Sequence, residues 1–297
     1  MNKKAIFWVV VGFLILIDAG LIFYQFAYHK PKADINLQPT AANIKQLTLL
    51  PQTNPNPTAL NISFADASKI YTPDTNFFYS FPVLIKRSSN NLLFLARGQS
   101  SVKYDEIVYA KSSDLSSWSS VTNIKTFSDQ KIIDLYATQN SLGYYLFYIT
   151  ADANSQEATG YLYSRDGNSW TEQTVNPSTT GLIKIAATSD QNSLRVIFLN
   201  SDHRTIEESF LSQNQTWTPL RTVIKLNLDI DDMDLINTTD LYYLLFASSN
   251  VLYETHSLDF HTFTQPKAVL NLKDDNFYLG NSGVVTLSNG SVFLNQR

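Results

Sequence analysis

The chain contains no cysteine, only two methionines, and charged residues at no more than 16%. Without cysteine there are no disulfides, no thiolate metal sites and no cysteine nucleophile. A formal charge of -4, from 22 basic and 26 acidic residues, gives no basic surface for nucleic acid. Four histidines are spread through 297 residues without a ligand-rich motif. A phosphate-binding glycine loop, a dinucleotide fingerprint and a serine nucleophile elbow are all missing, and no cofactor or metal is expected. What the chain has in quantity is aromatic side chains, with 18 Phe, 16 Tyr and 4 Trp. That content excludes a disordered chain and supports a large buried core.

The apolar residues fall into two regimes. Lys3 and Lys4 precede an apolar stretch over residues 5–24, broken by Asp18. Twenty helical residues rise about 30 Å, the thickness of a hydrocarbon core. Residues 1–30 are therefore expected to be an uncleaved membrane anchor, with a cleaved signal peptide as the alternative. The basic residues ahead of the run favour a cytoplasmic N-terminus and an extracytoplasmic C-terminal domain, a single-pass arrangement. Residues 31–60 carry five prolines and read as a spacer, with one possible strand over 44–50.

From residue 61 to 297 the pattern changes to short alternating runs bounded by Ser, Asn, Asp and Gly, which are strand and turn signals. A polar turn ending in an aromatic recurs as SSDLSSWS, SRDGNSWT, SQNQTWT and SLDFHTFT. Its anchors are Trp118, Trp170, Trp217 and Phe263, spaced by 52, 47 and 46 residues. A second series, NNLLFLARG, LGYYLFYIT, SLRVIFLNS, LYYLLFASS and GSVFLNQR, supplies five apolar strands. Repetition near fifty residues suits a four-stranded blade that buries its faces only against neighbouring copies. The expected fold is all-β, a five-bladed β-propeller with an N-terminal transmembrane helix. The last copy has room for about two strands, so a strand or two from residues 44–70 can complete that blade and close the ring.

In the second turn, Asp166 can accept backbone amides, Gly167 allows a positive φ, and Trp170 packs between strands. Asp114 with Trp118, and Asp259 with Phe263, occupy the same places in the first and fourth turns. These residues are read as structural staples. Here the sequence resembles the Asp-box (BNR) repeat, S-x-D-x-G-x-x-W, of sialidase-like propellers.

Superposing the repeats gives one inner-strand column of Pro82, Asp134, Lys184, Asp234 and Gly283, spaced by 52, 50, 50 and 49. Inner strands surround a propeller's axis, so Asp134, Asp234 and Lys184 are the polar candidates for ligand contact. Asp231 and Asp232 add charge beside them, and Tyr79, Tyr136 and Tyr278 could offer sugar-stacking surfaces. Five blades with Asp134 ahead of YYLFY are also similar to glycosidases that hydrolyse arabinans, xylans or fructans. That resemblance implies an aspartate base in the first blade, a supporting aspartate in the second and a glutamate acid in the third. Asp134 matches the supporting residue, Asp74 is the first-blade candidate, and Lys184 stands where the acid belongs. If the protein is an enzyme, Asp74, Asp134 and Asp234 are its catalytic candidates.

The resulting expectation is a membrane-anchored extracytoplasmic propeller that binds carbohydrate or a surface protein without catalysis. The alternative is a glycoside hydrolase acting on arabinan-, xylan- or sialoside-like glycans.

Overall fold

The computed structural model describes residues 64–87, 90–175, 181–190, 193–238, 241–272, 276–280, 282–288 and 291–296. The expected anchor over 1–30, spacer over 31–60 and strand over 44–50 lie outside the described residues. Among the described residues no helix is long and apolar enough to cross a membrane.

Five four-stranded antiparallel sheets form the propeller. Blade 1 runs β2 (Phe78–Ile85), β3 (Asn91–Gly98), β4 (Glu106–Ser112) and β5 (Thr122–Thr126). Blade 2 runs β6 (Lys131–Gln139), β7 (Tyr144–Ala151), β8 (Glu157–Ser164) and β9 (Thr171–Thr174). Blade 3 runs β10 (Leu182–Asp190), β11 (Ser193–Asn200), β12 (Thr205–Leu211) and β13 (Arg221–Lys225). Blade 4 runs β14 (Asp232–Asn237), β15 (Tyr242–Ser248), β16 (Val251–Ser257) and β17 (Lys267–Asn271). Blade 5 is β18 (Phe277–Gly280), β19 (Gly283–Ser288), β20 (Ser291–Gln296) and, from the other end of the domain, β1 (Ser68–Tyr71).

Ring closure is the pairing of β1 with β20, Ser68 opposite Leu294 and Tyr71 opposite Val292. This removes the open edge that a two- or three-stranded last blade would expose. Neighbouring inner strands then touch all the way round, β2 to β6, β10, β14, β18 and back to β2. Burial follows from this arrangement. The second strand of blade 2, YYLFYITA, is buried at every position because neighbouring blades cover both faces. The outer strands β5, β13 and β17 are mostly exposed and correspondingly polar.

The repeat turns staple one blade to the blade before it. Trp118 donates its indole N–H to the Ile70 carbonyl at 2.7 Å, tying blade 1 to the closing strand. Trp170 meets Phe94 of blade 1 edge-on at 5.4 Å, and Trp217 meets Tyr161 of blade 2 at 5.9 Å. Phe263 is buried in a cluster that runs through blades 2, 3 and 4. Asp114, Asp166 and Asp259 each accept two backbone N–H groups, from Ser116 and Ser117, Asn168 and Ser169, and His261 and Thr262. The residue after each aspartate has positive φ: Leu115 at 66°, Gly167 at 75° and Phe260 at 60°.

The third turn departs from the sequence reading. Leu211, not Ser212, ends its strand opposite Leu194, as Ser164 ends opposite Tyr144. Gln213 therefore holds the aspartate position, and the positive φ moves to Gln215.

Candidate functional site

The register of each inner strand against its neighbour fixes which side chains share a level of the axis. Ser80 opposes Ala96, Asp134 opposes Ile149, Lys184 opposes Leu199 and Asp232 opposes Ala247. These are equivalent rungs of four blades. Tyr278 completes the set, because its neighbour Leu279 donates its N–H to Asp232 as Ile185, next to Lys184, donates to Asp134. One polar residue from each blade thus forms a ring.

This corrects three members of the sequence-derived column. Pro82 lies in a bulge of β2 between Ser80 and Val83, so the true rung is two residues earlier. Gly283 opens β19, one strand out from the axis. Asp234 lies two residues beyond the ring and shares a level with Tyr136, Ala186 and Val83. Asp134 and Lys184 stand as read. The missed signal was distance to the aromatic strand: Asp134 and Asp232 each precede a Tyr-Tyr pair by ten residues.

Within the ring, the Lys184 ammonium lies 3.0 Å from Asp134 Oδ1 and 3.6 Å from Asp232 Oδ1. The other oxygens accept backbone N–H groups of the following blades, Asp134 Oδ2 from Ile185 at 2.9 Å and Asp232 Oδ2 from Leu279 at 2.6 Å. Ser80 and Tyr278 share a 2.9 Å hydrogen bond between their hydroxyls. The side chains are 4%, 10% and 17% exposed for Asp134, Asp232 and Lys184. Two buried carboxyls share one ammonium, so the set holds an excess negative charge. Burial pushes Asp134 up to about 7; Lys184 opposes the rise and Asp232 adds to it. Asp232 is raised too, again chiefly by burial. Burial works against the charge on Lys184, but Asp134 and Asp232 outweigh it and hold its pKa above the usual lysine range.

Phe81 leans over this ring. Its backbone has φ 50°, a strained value for an aromatic residue and more so before proline. Its ring lies 5.7 Å from the Lys184 ammonium and meets Tyr278 and Tyr104 edge-on at 5.5 and 6.1 Å. One level further along the axis, the Tyr136 hydroxyl donates to Asp234 Oδ1 at 2.5 Å. Beyond that layer a cavity of about 400 Å³ is lined by Ile85, Thr138, Thr188 and Ser282 among others.

The other candidates lie elsewhere. Asp74 is exposed in the turn before β2, accepts the Asn76 N–H at 2.8 Å, and acts electrostatically on Tyr71 and Tyr79. It does not join Asp134 and Asp234. Tyr79 is buried in the cluster between blades 5 and 1, on the strand face opposite Ser80. Tyr136 is 1% exposed, leaving Tyr278 as the half-buried tyrosine at the ring. Glu172 sits on β9, an outer strand of blade 2, with Lys125 and Tyr148. Among the described residues no group of three or more His, Asp or Glu could hold a metal ion. The acidic run at 229–234 is dispersed, with Asp229 on Arg204 and Asp231 on the Ser249 N–H.

No family model matches the chain, and no curated protein matches it. Solved structures do resemble it. The GH43_1 enzyme from Xanthomonas citri, complexed with xylose, aligns with TM-score 0.58 and 10% identity over 77% of this chain and 89% of that one. The RS223 β-xylosidase aligns with TM-score 0.60 and 9% identity over 77% and 94%. An exo-β-1,3-galactanase from Clostridium thermocellum aligns with TM-score 0.56 and 12% identity over 77% and 62%. The fold, a five-bladed β-propeller, is similar to that of these enzymes. At these identities the likeness is one of architecture, and function has to be argued from the site.

Proposed function

We propose that the protein is a glycoside hydrolase acting on a neutral glycan of the xylan, arabinan or galactan kind. The observation that carries this is the pair Asp134 and Asp232, two carboxyl groups at equivalent rungs of blades 2 and 4, flanking one ammonium. Glycosidic cleavage needs one carboxyl that gives a proton to the leaving oxygen and one that assists the incoming water or attacks the sugar. A pair sharing one positive charge keeps a proton on one member at neutral pH. Asp134, raised to about 7, is the acid, and Asp232 is the carboxylate partner. Lys184 holds the two groups together and carries no proton-transfer role. The architecture shared with a xylosidase and a galactanase supports the substrate class.

A second reading, binding of the same glycans without cleavage, is favoured by one feature. All four oxygens of the two carboxylates already accept a hydrogen bond or an ion pair within the protein. One experiment separates the two readings. The full chain is incubated with xylo-, arabino- and β-1,3-galacto-oligosaccharides, and released sugar and bound ligand are both measured. Hydrolysis predicts release that Asp134→Asn and Asp232→Asn each abolish. Saturable binding with no release selects the second reading, and release unchanged in both variants removes the pair from the chemistry.

The same proposal puts the propeller outside the cytoplasm, tethered by residues 5–24. The apolar run and the lysines ahead of it support this. Protease digestion of intact cells should remove the propeller; its complete protection would contradict the tether.

A further inference from the structure

Three of the four repeat turns satisfy their own backbone with an aspartate; the third does not. There Gln213 and Asn214 replace the aspartate and the residue after it, and Ser212 turns to Thr216, with 2.5 Å between the hydroxyls. The side-chain amides of Gln213 and Asn214 are exposed and make no hydrogen bond with any described residue. They form one wall of an open cavity of about 610 Å³ at the rim between blades 3 and 4. That volume lies within the range of ligand pockets, roughly 300–1,000 Å³.

The floor of this cavity is rigidly built. Arg195, 7% exposed, donates from Nε and Nη2 to Asp190 Oδ2 at 3.2 and 3.0 Å, and from Nη1 to the fully buried Glu208. Its guanidinium lies 4.5, 4.5 and 4.3 Å from the rings of Phe210, Tyr242 and Phe260. The Tyr242 hydroxyl also donates to Asp190 Oδ2, at 3.1 Å. Three donors thus converge on one oxygen of Asp190, while Oδ1 accepts from no described residue. Arg221 pairs with the other side of Glu208, so two guanidinium groups balance two carboxylates. No net charge remains to draw an ionic ligand. What the cavity offers is a fixed carboxylate oxygen, two free amides, serine hydroxyls at 193 and 212, and the rings of Phe210 and Tyr242.

We propose that this rim groove is a binding site for a neutral glycan segment, separate from the axial ring. Sugar hydroxyls pair with Asp190 Oδ1, Gln213 and Asn214, and the C–H face of a sugar lies against an aromatic ring. The groove would hold the glycan on the propeller independently of what happens at the axis.

The test is titration of the full chain with xylotriose, an arabinotriose and a β-1,3-galactotriose, followed by calorimetry and by hydrogen exchange. At least one sugar is expected to bind saturably and to protect residues 211–217. The Gln213→Ala/Asn214→Ala variant, altered only at exposed side chains, is expected to weaken that binding about tenfold without changing thermal stability. The Asp134→Asn/Asp232→Asn variant is expected to keep it, which separates this site from the ring. Affinity unchanged by Gln213→Ala/Asn214→Ala, protection confined to the axial strands, or no saturable binding of any of the three sugars would each overturn the proposal. Capture of a protein partner through residues 211–217, with no sugar binding, would overturn it too.

Discussion

Tyr136 on β6 donates a 2.5 Å hydrogen bond to Asp234 on β14, so blades 2 and 4 meet across the blade that lies between them. Blade 3 carries Ala186 at this level, a side chain small enough to let the pair pass. The layer lies across the axis between the ring of Asp134, Lys184 and Asp232 and the cavity lined by Ile85, Thr138 and Thr188. Both members are 1% exposed. Replacing Tyr136 by Phe removes a donor from a buried carboxylate, and the expected loss in a urea unfolding curve is about 1–3 kcal/mol. A variant as stable as the parent would mean that the pair contributes only packing.

Lys184 is the counter-charge for both ring carboxyls. Lys184→Met keeps most of the side-chain volume and leaves two buried carboxyls without their ammonium. Breaking a buried ion pair from one side costs about 3–5 kcal/mol. At a pH well above 7, where both carboxyls are driven to ionise, the loss should be partly repaired by adding Asp134→Asn, because one unpaired charge then disappears. Denaturation midpoints of the single and double variants give the comparison; a double variant less stable than Lys184→Met would contradict the shared-charge account.

The pH dependence of stability follows from the sign of each shift. Asp134 titrates at about 7 in the folded protein against an ordinary 3.8, so the folded state holds its proton more tightly. Its contribution is fully present below about pH 4 and is lost as pH rises through about 7. Asp114 has the opposite sign, held down to about 2 by the N–H groups of Ser117 and Ser116. Its contribution is present above about pH 4 and lost as pH falls through about 2. Thermal midpoints of Asp134→Asn should therefore fall less than the parent's between pH 4 and 7, while Asp114→Asn should flatten the acid side only.

Phe81 gives a test of strain. Its φ of 50° suits glycine, and such backbone strain costs about 1–3 kcal/mol. Phe81→Gly loses the ring contacts but relieves the strain, whereas Phe81→Ala loses the contacts and keeps it. The glycine variant should be the more stable of the two, the reverse of the usual order in a strand. Equal or inverted midpoints would show that the backbone relaxes freely there.

The propeller is legible because blades 1 to 4 repeat the same aromatic turn and the same buried second strand, while in blade 5 the matching run GSVFLNQR is the third strand, β20. Trp118, Trp170 and Trp217 announce their blades by residue type alone. The ring was only half legible. Asp134 and Lys184 fall at equal spacing because β6 and β10 carry bulges at the same place, before Asp134 and before Lys184. The bulge at Phe81 and Pro82 shifts the register of blade 1, where the rung is Ser80, and a count of fifty carries the eye past Asp232 to Asp234. In blade 5 the inner strand β18 is short, and the fifty-residue spacing falls on Gly283 of the strand that follows it. Register depends on bulges and loop lengths, and neither repeats with the sequence period.

Cleavage of a glycosidic bond with Asp134 as the acid and Asp232 as its carboxylate partner carries a pH signature. The pH profile of kcat/KM on oligosaccharides of xylan, arabinan and β-1,3-galactan tests it most directly. Turnover should fall above about pH 7, where Asp134 gives up its proton, and the activity should be lost in Asp134→Asn. Sugar bound but never released, or a profile that stays level through this range and survives the substitution, would contradict it.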